Sequence, residues 1–237
     1  MSLIKCEFKK NVKETLKYYP DSIVAIVTNI IILLIVINTT GNVTLKLFGF
    51  ILWILVSGVL SEASMTISTE KQLGTLQNLL VKPYSILQII ISKTIVWFTL
   101  YLIKLFVFLL ALSLFINITS ILNFYFLVIA MIVCLGILGL SLVLSSLTLI
   151  FTKIASFEDV FSYLLLFLSG SIVTMPKAII YSNPLSYGVH VASIVITGEL
   201  KFQYFFVLFI ISAVWLFIGI FFFKLVFKRS KQFSWTY

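Results

Sequence analysis

Long apolar runs alternate with short polar breaks along this chain. Runs of about 18 or more apolar residues read as helices that cross a bilayer. The first extends from about Ser22 to Ile37 and stops at the turn-prone Asn38-Thr39-Thr40-Gly41-Asn42. The second extends from about Leu47 to Leu60, where Ser61-Glu62-Ala63-Ser64 starts its exit and the helix continues toward Ser68. The third begins after Ile86 and ends near Ile116. It is too long for one perpendicular crossing, so part of Ile86 to Ile95 lies along the interface or extends past it. The fourth covers Phe124 to Ile150, the fifth Val160 to Val173 and the sixth Tyr204 to Phe227. Two polar intervals stand out, 68–93 between the second and third runs and 174–201 between the fifth and sixth. Ahead of the first run, Ile4, Phe8, Val12 and Leu16 recur at helical spacing among lysines, the pattern of an amphipathic helix over residues 1–20 on the membrane surface.

Composition narrows the class. Of 237 residues, 61% are hydrophobic and 11% charged, with mean hydropathy +1.18. A soluble domain of this size has too little interior for that much apolar side chain. A transmembrane β-barrel needs alternating segments of about ten residues, and these runs are longer and apolar on every face. The expected fold is therefore an all-α integral membrane protein with six transmembrane helices in a single domain over residues 1–237.

The net charge of +9 invites a nucleic-acid reading until the cations are mapped. With six crossings both termini share one side. That side holds Lys5, Lys9, Lys10, Lys13 and Lys17, then Lys71, Lys82, Lys93 and Lys153, then Lys224, Lys228, Arg229 and Lys231. The other side holds Lys46, Lys177 and Lys201, and Lys104 falls inside the third run. The positive-inside rule places both termini and the 68–93 segment in the cytoplasm of a plasma-membrane protein, and 174–201 outside. The basic excess is topological, and no nucleic-acid partner follows from it. Trp53, Trp97, Tyr101, Tyr125, Tyr181 and Tyr204 fall near expected span ends, where amphipathic rings favour the interface. Gly136, Gly139, Ser141, Ser145 and Ser146 are small residues that permit close helix packing.

The 68–93 segment carries the most information. On a helical wheel Leu73, Leu76, Leu79 and Leu80 share one arc and Gly74, Thr75, Asn78 and Lys82 lie opposite, so Lys71 to Val81 reads as a short amphipathic helix. Ser68 or Thr69 caps it, Glu70 sits in its first turn, Pro83 ends it, and a second helix starts at Tyr84-Ser85. The order Glu70, Gly74-Thr75-Leu76, Leu79-Leu80, Pro83, with Lys93 following, resembles the signature of ABC-2-type transporter permeases. Gln77 departs from it, since many relatives carry an acid there.

That resemblance implies that Glu70, Lys71, Gln72, Leu73, Gly74, Thr75, Leu76, Leu79, Leu80, Lys82 and Pro83 form a coupling helix that docks on a separate ATP-binding subunit. It also implies short re-entrant helices in 174–201, where Met175-Pro176 and Asn183-Pro184 break the chain and Leu185 to Thr197 forms one piece. The expected function is the permease of an ATP-driven exporter of an amphiphilic cargo, such as a hydrophobic peptide, a drug or a lipid-linked molecule. Two copies of the ATP-binding subunit, a second permease copy or a related chain, and membrane lipids are the expected partners. The alternatives are a membrane immunity or sequestering protein that does not transport, and a haem-exporter-like permease.

The chain itself carries no expected catalytic, cofactor or metal site. No Gly precedes a Lys, so a phosphate-binding G-x-x-x-x-G-K-[ST] loop is absent, and ATP and Mg belong to the partner. His190 stands alone, in the outer segment, which excludes a histidine cluster, and Cys6 and Cys134 have no metal or disulfide spacing. Glu158 and Asp159 open the fifth helix, where acids complement the helix dipole. Lys104 is a candidate for the translocation path, because a charge at that depth costs at least about 2.5 kcal/mol and needs a partner or water. No acid lies at the same depth along the sequence, so the expected partner is another subunit, a lipid or the cargo.

Overall fold

The computed structural model describes residues 3–38, 42–72, 74, 84–114, 124–150, 155–173, 175–198 and 201–230, and the described residues are mostly helical with no strand among them. The helices are α1 (Leu3–Lys17), α2 (Tyr19–Ile37), α3 (Val43–Gln72), α4 (Ile86–Ser113), α5 (Phe124–Ile150), α6 (Ala155–Leu168), α7 (Lys177–Ser182), α8 (Pro184–Thr197) and α9 (Phe202–Ser230). Five are long and apolar enough to cross a membrane: α2, the Val43–Glu62 part of α3, α4, α5 and α9.

α3 is the hub. It packs against α2, α4, α5, α6 and α8. Phe50, Ile51, Leu52, Leu55, Val56, Val59 and Leu60 are buried on every side of it, as an all-round apolar helix requires when neighbours surround it. By contrast α2 and α9 are apolar all round yet leave most of that surface open, with Ile23, Val24, Val27, Phe217 and Phe221 exposed. Bare apolar flanks of this length are lipid-facing surface.

The closest packing joins α5 and α9. A Cβ on Gly139 would fall on the Trp215 carbonyl, and one on Gly219 would fall on the Gly139 carbonyl. The two backbones touch because neither glycine carries a side chain, the small-residue packing expected of the fourth run. Lys46 is buried at the far end of α3 and donates to the Ile37 carbonyl at 3.4 Å, where the negative end of α2 receives its charge.

Three expectations change. The fifth run is displaced: α6 starts at Ala155 and ends at Leu168, because Ser169 folds back on Leu166 and Gly170 takes φ 79°. Its 14 residues span about 21 Å at 1.5 Å each, short of the roughly 30 Å of a hydrocarbon core. The Ser186 hydroxyl donates to the Leu168 carbonyl and ties the end of α6 to α8. Trp53 is buried rather than interfacial, because it lies inside α3 and donates to the Ser162 carbonyl of α6 at 2.8 Å. Tyr101 also turns inward, with its ring lying on Gly58 of α3.

The segment between α6 and α9 folds as the two proline breaks anticipate. Pro176 precedes α7, and Asn183 separates α7 from α8 and caps α8 by accepting from the Leu185 amide. Trp215 of α9 donates to the carbonyl of Ser182, the last residue of α7.

Candidate functional site

The site is the end of the bundle where α3 leaves the apolar slab and α4 enters it. α3 does not stop at Ser61-Glu62. It continues as one helix to Gln72, ten residues past its apolar window. The extension survives because neighbouring helices supply partners for its polar groups. Glu70 pairs with Lys93 of α4 at 3.9 Å, with both side chains largely buried. The Lys71 ammonium donates to the Leu149 carbonyl at 3.0 Å, at the C-terminal end of α5. Cations favour that end of a helix, where the last carbonyls lack intrahelical partners. Partial burial holds the Lys71 ammonium below its ordinary pKa. Gln72 donates to the Ser68 hydroxyl and Thr69 to the Met65 carbonyl.

These contacts correct the expected cap. Ser68 and Thr69 are interior residues of α3, and Lys71 and Gln72 belong to its last turn. Gly74 then adopts φ 69°, and its amide donates to the Lys71 carbonyl at 3.2 Å. Left-handed backbone is cheap only for glycine, and it commonly ends a helix. One continuous helix beginning at Lys71 is therefore not what forms; the chain turns at Gly74. Leu73, Thr75, Leu76, Leu79, Leu80, Lys82 and Pro83 lie outside the described residues. The chain is described again at Tyr84, and Ser85 caps α4 by exchanging hydrogen bonds with Gln88, the capping-box pattern.

The charged clamp was only half visible in the sequence. Glu70 and Lys93 stood out by type. The Leu149 carbonyl carries no sequence signal, because its role depends only on α5 ending beside α3.

Lys104 has partners inside the chain, which corrects the expectation of a partner from elsewhere. Side chains on a helix lean toward its N-terminus. Lys104 accordingly reaches back along α4, its ammonium 4.8 Å from the Tyr101 ring centroid and 5.8 Å from that of Trp97. Tyr101 lies on Gly58, and Glu62 is one turn further along the same face of α3, close enough for electrostatic interaction with Lys104 and with Glu14 of α1. Depth read along the sequence missed the acid because the lysine stem spans about a turn of helix.

Glu158 is buried in the first turn of α6, and Asp159 beside it is exposed. His190 of α8 is half-buried with its ring 5.7 Å from that of Tyr187. Among the described residues, no group of three or more His, Cys, Asp or Glu converges to hold a metal.

The model of the family described as ABC-2 type transporter matches residues 1–197. No curated protein matches the chain. The chain belongs to the ABC-2 type transporter family: it is a multi-pass membrane protein and the permease component of an ABC transporter, a family that associates with an ABC ATP-binding subunit.

Proposed function

We propose that this permease works in an exporter of the plasma membrane, in which α6 and residues 169–173 together make the sixth crossing through a locally thinned bilayer, so that both termini and the 68–93 segment lie in the cytoplasm. Two copies of the ATP-binding subunit supply ATP and Mg, and two permeases, identical or related, enclose the pathway. An amphiphilic cargo, such as a hydrophobic peptide, a drug or a lipid-linked molecule, suits its apolar, aromatic walls.

One observation carries the reading. The segment expected to dock on the ATP-binding subunit leaves from the hub helix, and its base is clamped to two neighbours by Glu70–Lys93 and by Lys71 on the Leu149 carbonyl. A load on that segment reaches α3, α4 and α5 together. A free loop on an edge helix would transmit little. Lys104 fits the same reading as a charge held between α3 and α4; contact with cargo is the rival role.

Co-purification tests the proposal. The chain, expressed with the ABC ATP-binding subunit, should retain it, and changing Leu76→Asp and Leu80→Asp together should lose it while the permease still folds. Equal retention by the variant would remove the docking role. A sequestering protein would retain no ATP-binding subunit in either form.

A further inference from the structure

α1 packs on α4 and continues into α2. Its most buried residue is a polar one, Asn11, at 4% exposure, and Phe8, Val12 and Thr15 flank it half-buried. The apolar row Ile4, Phe8, Val12 and Leu16 drifts around the helix, so that Leu16 emerges at 70% exposure on the opposite side. At about 100° per residue, Lys5, Leu16, Lys9 and Lys13 fall within an arc of about 80° facing away from Asn11, and Cys6, Lys17 and Lys10 continue that arc. All five lysines are exposed. Lys10 pairs with Glu14 at 3.8 Å and Lys17 lies over the Tyr18 ring. Lys5, Lys9 and Lys13 have no acidic partner among the described residues.

The height of α1 is set by its neighbours. Glu14 interacts electrostatically with Glu62, the last residue of the apolar window of α3. Tyr18 and Tyr19, both exposed, lead directly into the membrane-crossing α2. α1 therefore runs at the edge of the apolar slab, where the lipid head groups lie, with Asn11, Phe8 and Val12 toward the bundle and its lysines outward.

We propose that the outward face of α1, Lys5, Lys9 and Lys13 around Leu16, binds anionic phospholipid head groups in preference to zwitterionic ones. The lysines match the lipid phosphates by charge, and Leu16 enters between acyl chains. Juxtamembrane lysines each strengthen attachment to an anionic surface, and the effect falls within a Debye length. This rests on the membrane reading alone and needs no ATP-binding partner, so the two proposals fail separately.

Cys6 supplies the probe, since it is exposed on the same arc while Cys134 is buried. The full chain, carrying a fluorophore on Cys6, is reconstituted in phosphatidylcholine vesicles containing acyl-brominated phosphatidylglycerol or acyl-brominated phosphatidylcholine. Half-quenching should need at least about fivefold less of the anionic quencher. Changing Lys5→Gln, Lys9→Gln and Lys13→Gln together should erase the difference, the three Lys→Arg changes should keep it, and high salt should shrink it. Equal quenching by both lipids in the unaltered chain would overturn the proposal. So would a Gln variant that keeps the preference, or one that keeps it while losing the ATP-binding subunit, which would assign the face to that protein instead.

Discussion

Replacing Lys104 with Met tests whether its charge belongs to the helix pair α3–α4. The side chain keeps its length and loses its ammonium, which sits 4.8 Å and 5.8 Å from two ring centroids. Each contact is worth about 0.5–1 kcal/mol when exposed and up to about 2 when dry, so about 2 kcal/mol is lost from the rings of this half-buried group. Glu62 lies beyond ion-pair distance but within electrostatic range of Lys104, so losing that charge costs it about 0.5–1 kcal/mol after solvent screening. Lys104→Met should therefore destabilise by about 2–3 kcal/mol, and Glu62→Gln by about 0.5–1. In the double variant neither charge is left facing the other's vacancy, so the two effects should fall short of their sum by about 0.5–1 kcal/mol. Reversible unfolding of the purified chain in mixed micelles reads all four corners of the cycle. Additivity within about 0.3–0.5 kcal/mol would refute the pairing. Transport read on the same four proteins separates the rival role: if Lys104 touches cargo, transport stays lost in the double variant, whereas if it only answers Glu62, transport recovers there.

Three further outcomes are expected. Glu70→Lys should reduce transport by opening the α3–α4 base, and adding Lys93→Glu should restore most of it; no recovery would count against the 3.9 Å pair as the element that matters. Gly139→Leu should prevent the α5–α9 contact, costing at least about 3 kcal/mol or abolishing the folded species on gel filtration, because the new side chain would meet the Trp215 backbone. Burial holds His190 below its ordinary pKa of 6.5, so the fold binds fewer protons there than the unfolded chain does; stability should fall as pH drops from 6.5 toward the lowered value, and His190→Gln should flatten that part of the pH profile.

Much of the architecture is legible in the residues, and the misses share a cause. Length and unbroken apolarity located α2, α4, α5 and α9, because lipid demands both. The breaks at Pro176 and Pro184 fall where α7 and α8 begin, and the Leu185–Thr197 piece matches α8 to within a residue, since proline constrains backbone directly. The sequence carries α3 to about Ser68, and its last turn to Gln72 is not legible there because Lys93 and the Leu149 carbonyl, which hold it, lie on other helices. The end of α6 was hidden because Ser169 and Gly170 are unremarkable by composition yet turn the chain. At the candidate site, the helical wheel sets Gly74 among the polar-face residues, whereas its positive φ turns the chain just past the end of α3.

Coupling to an ATP-binding subunit requires the 68–93 segment to face the cytoplasm. An accessible thiol at position 77, from Gln77→Cys in a chain also carrying Cys6→Ser and with Cys134 buried, can be probed with a membrane-impermeant maleimide. It should label in inside-out vesicles and not in intact cells, and co-expression of the ATP-binding subunit should protect it. Labelling from outside intact cells would contradict the account.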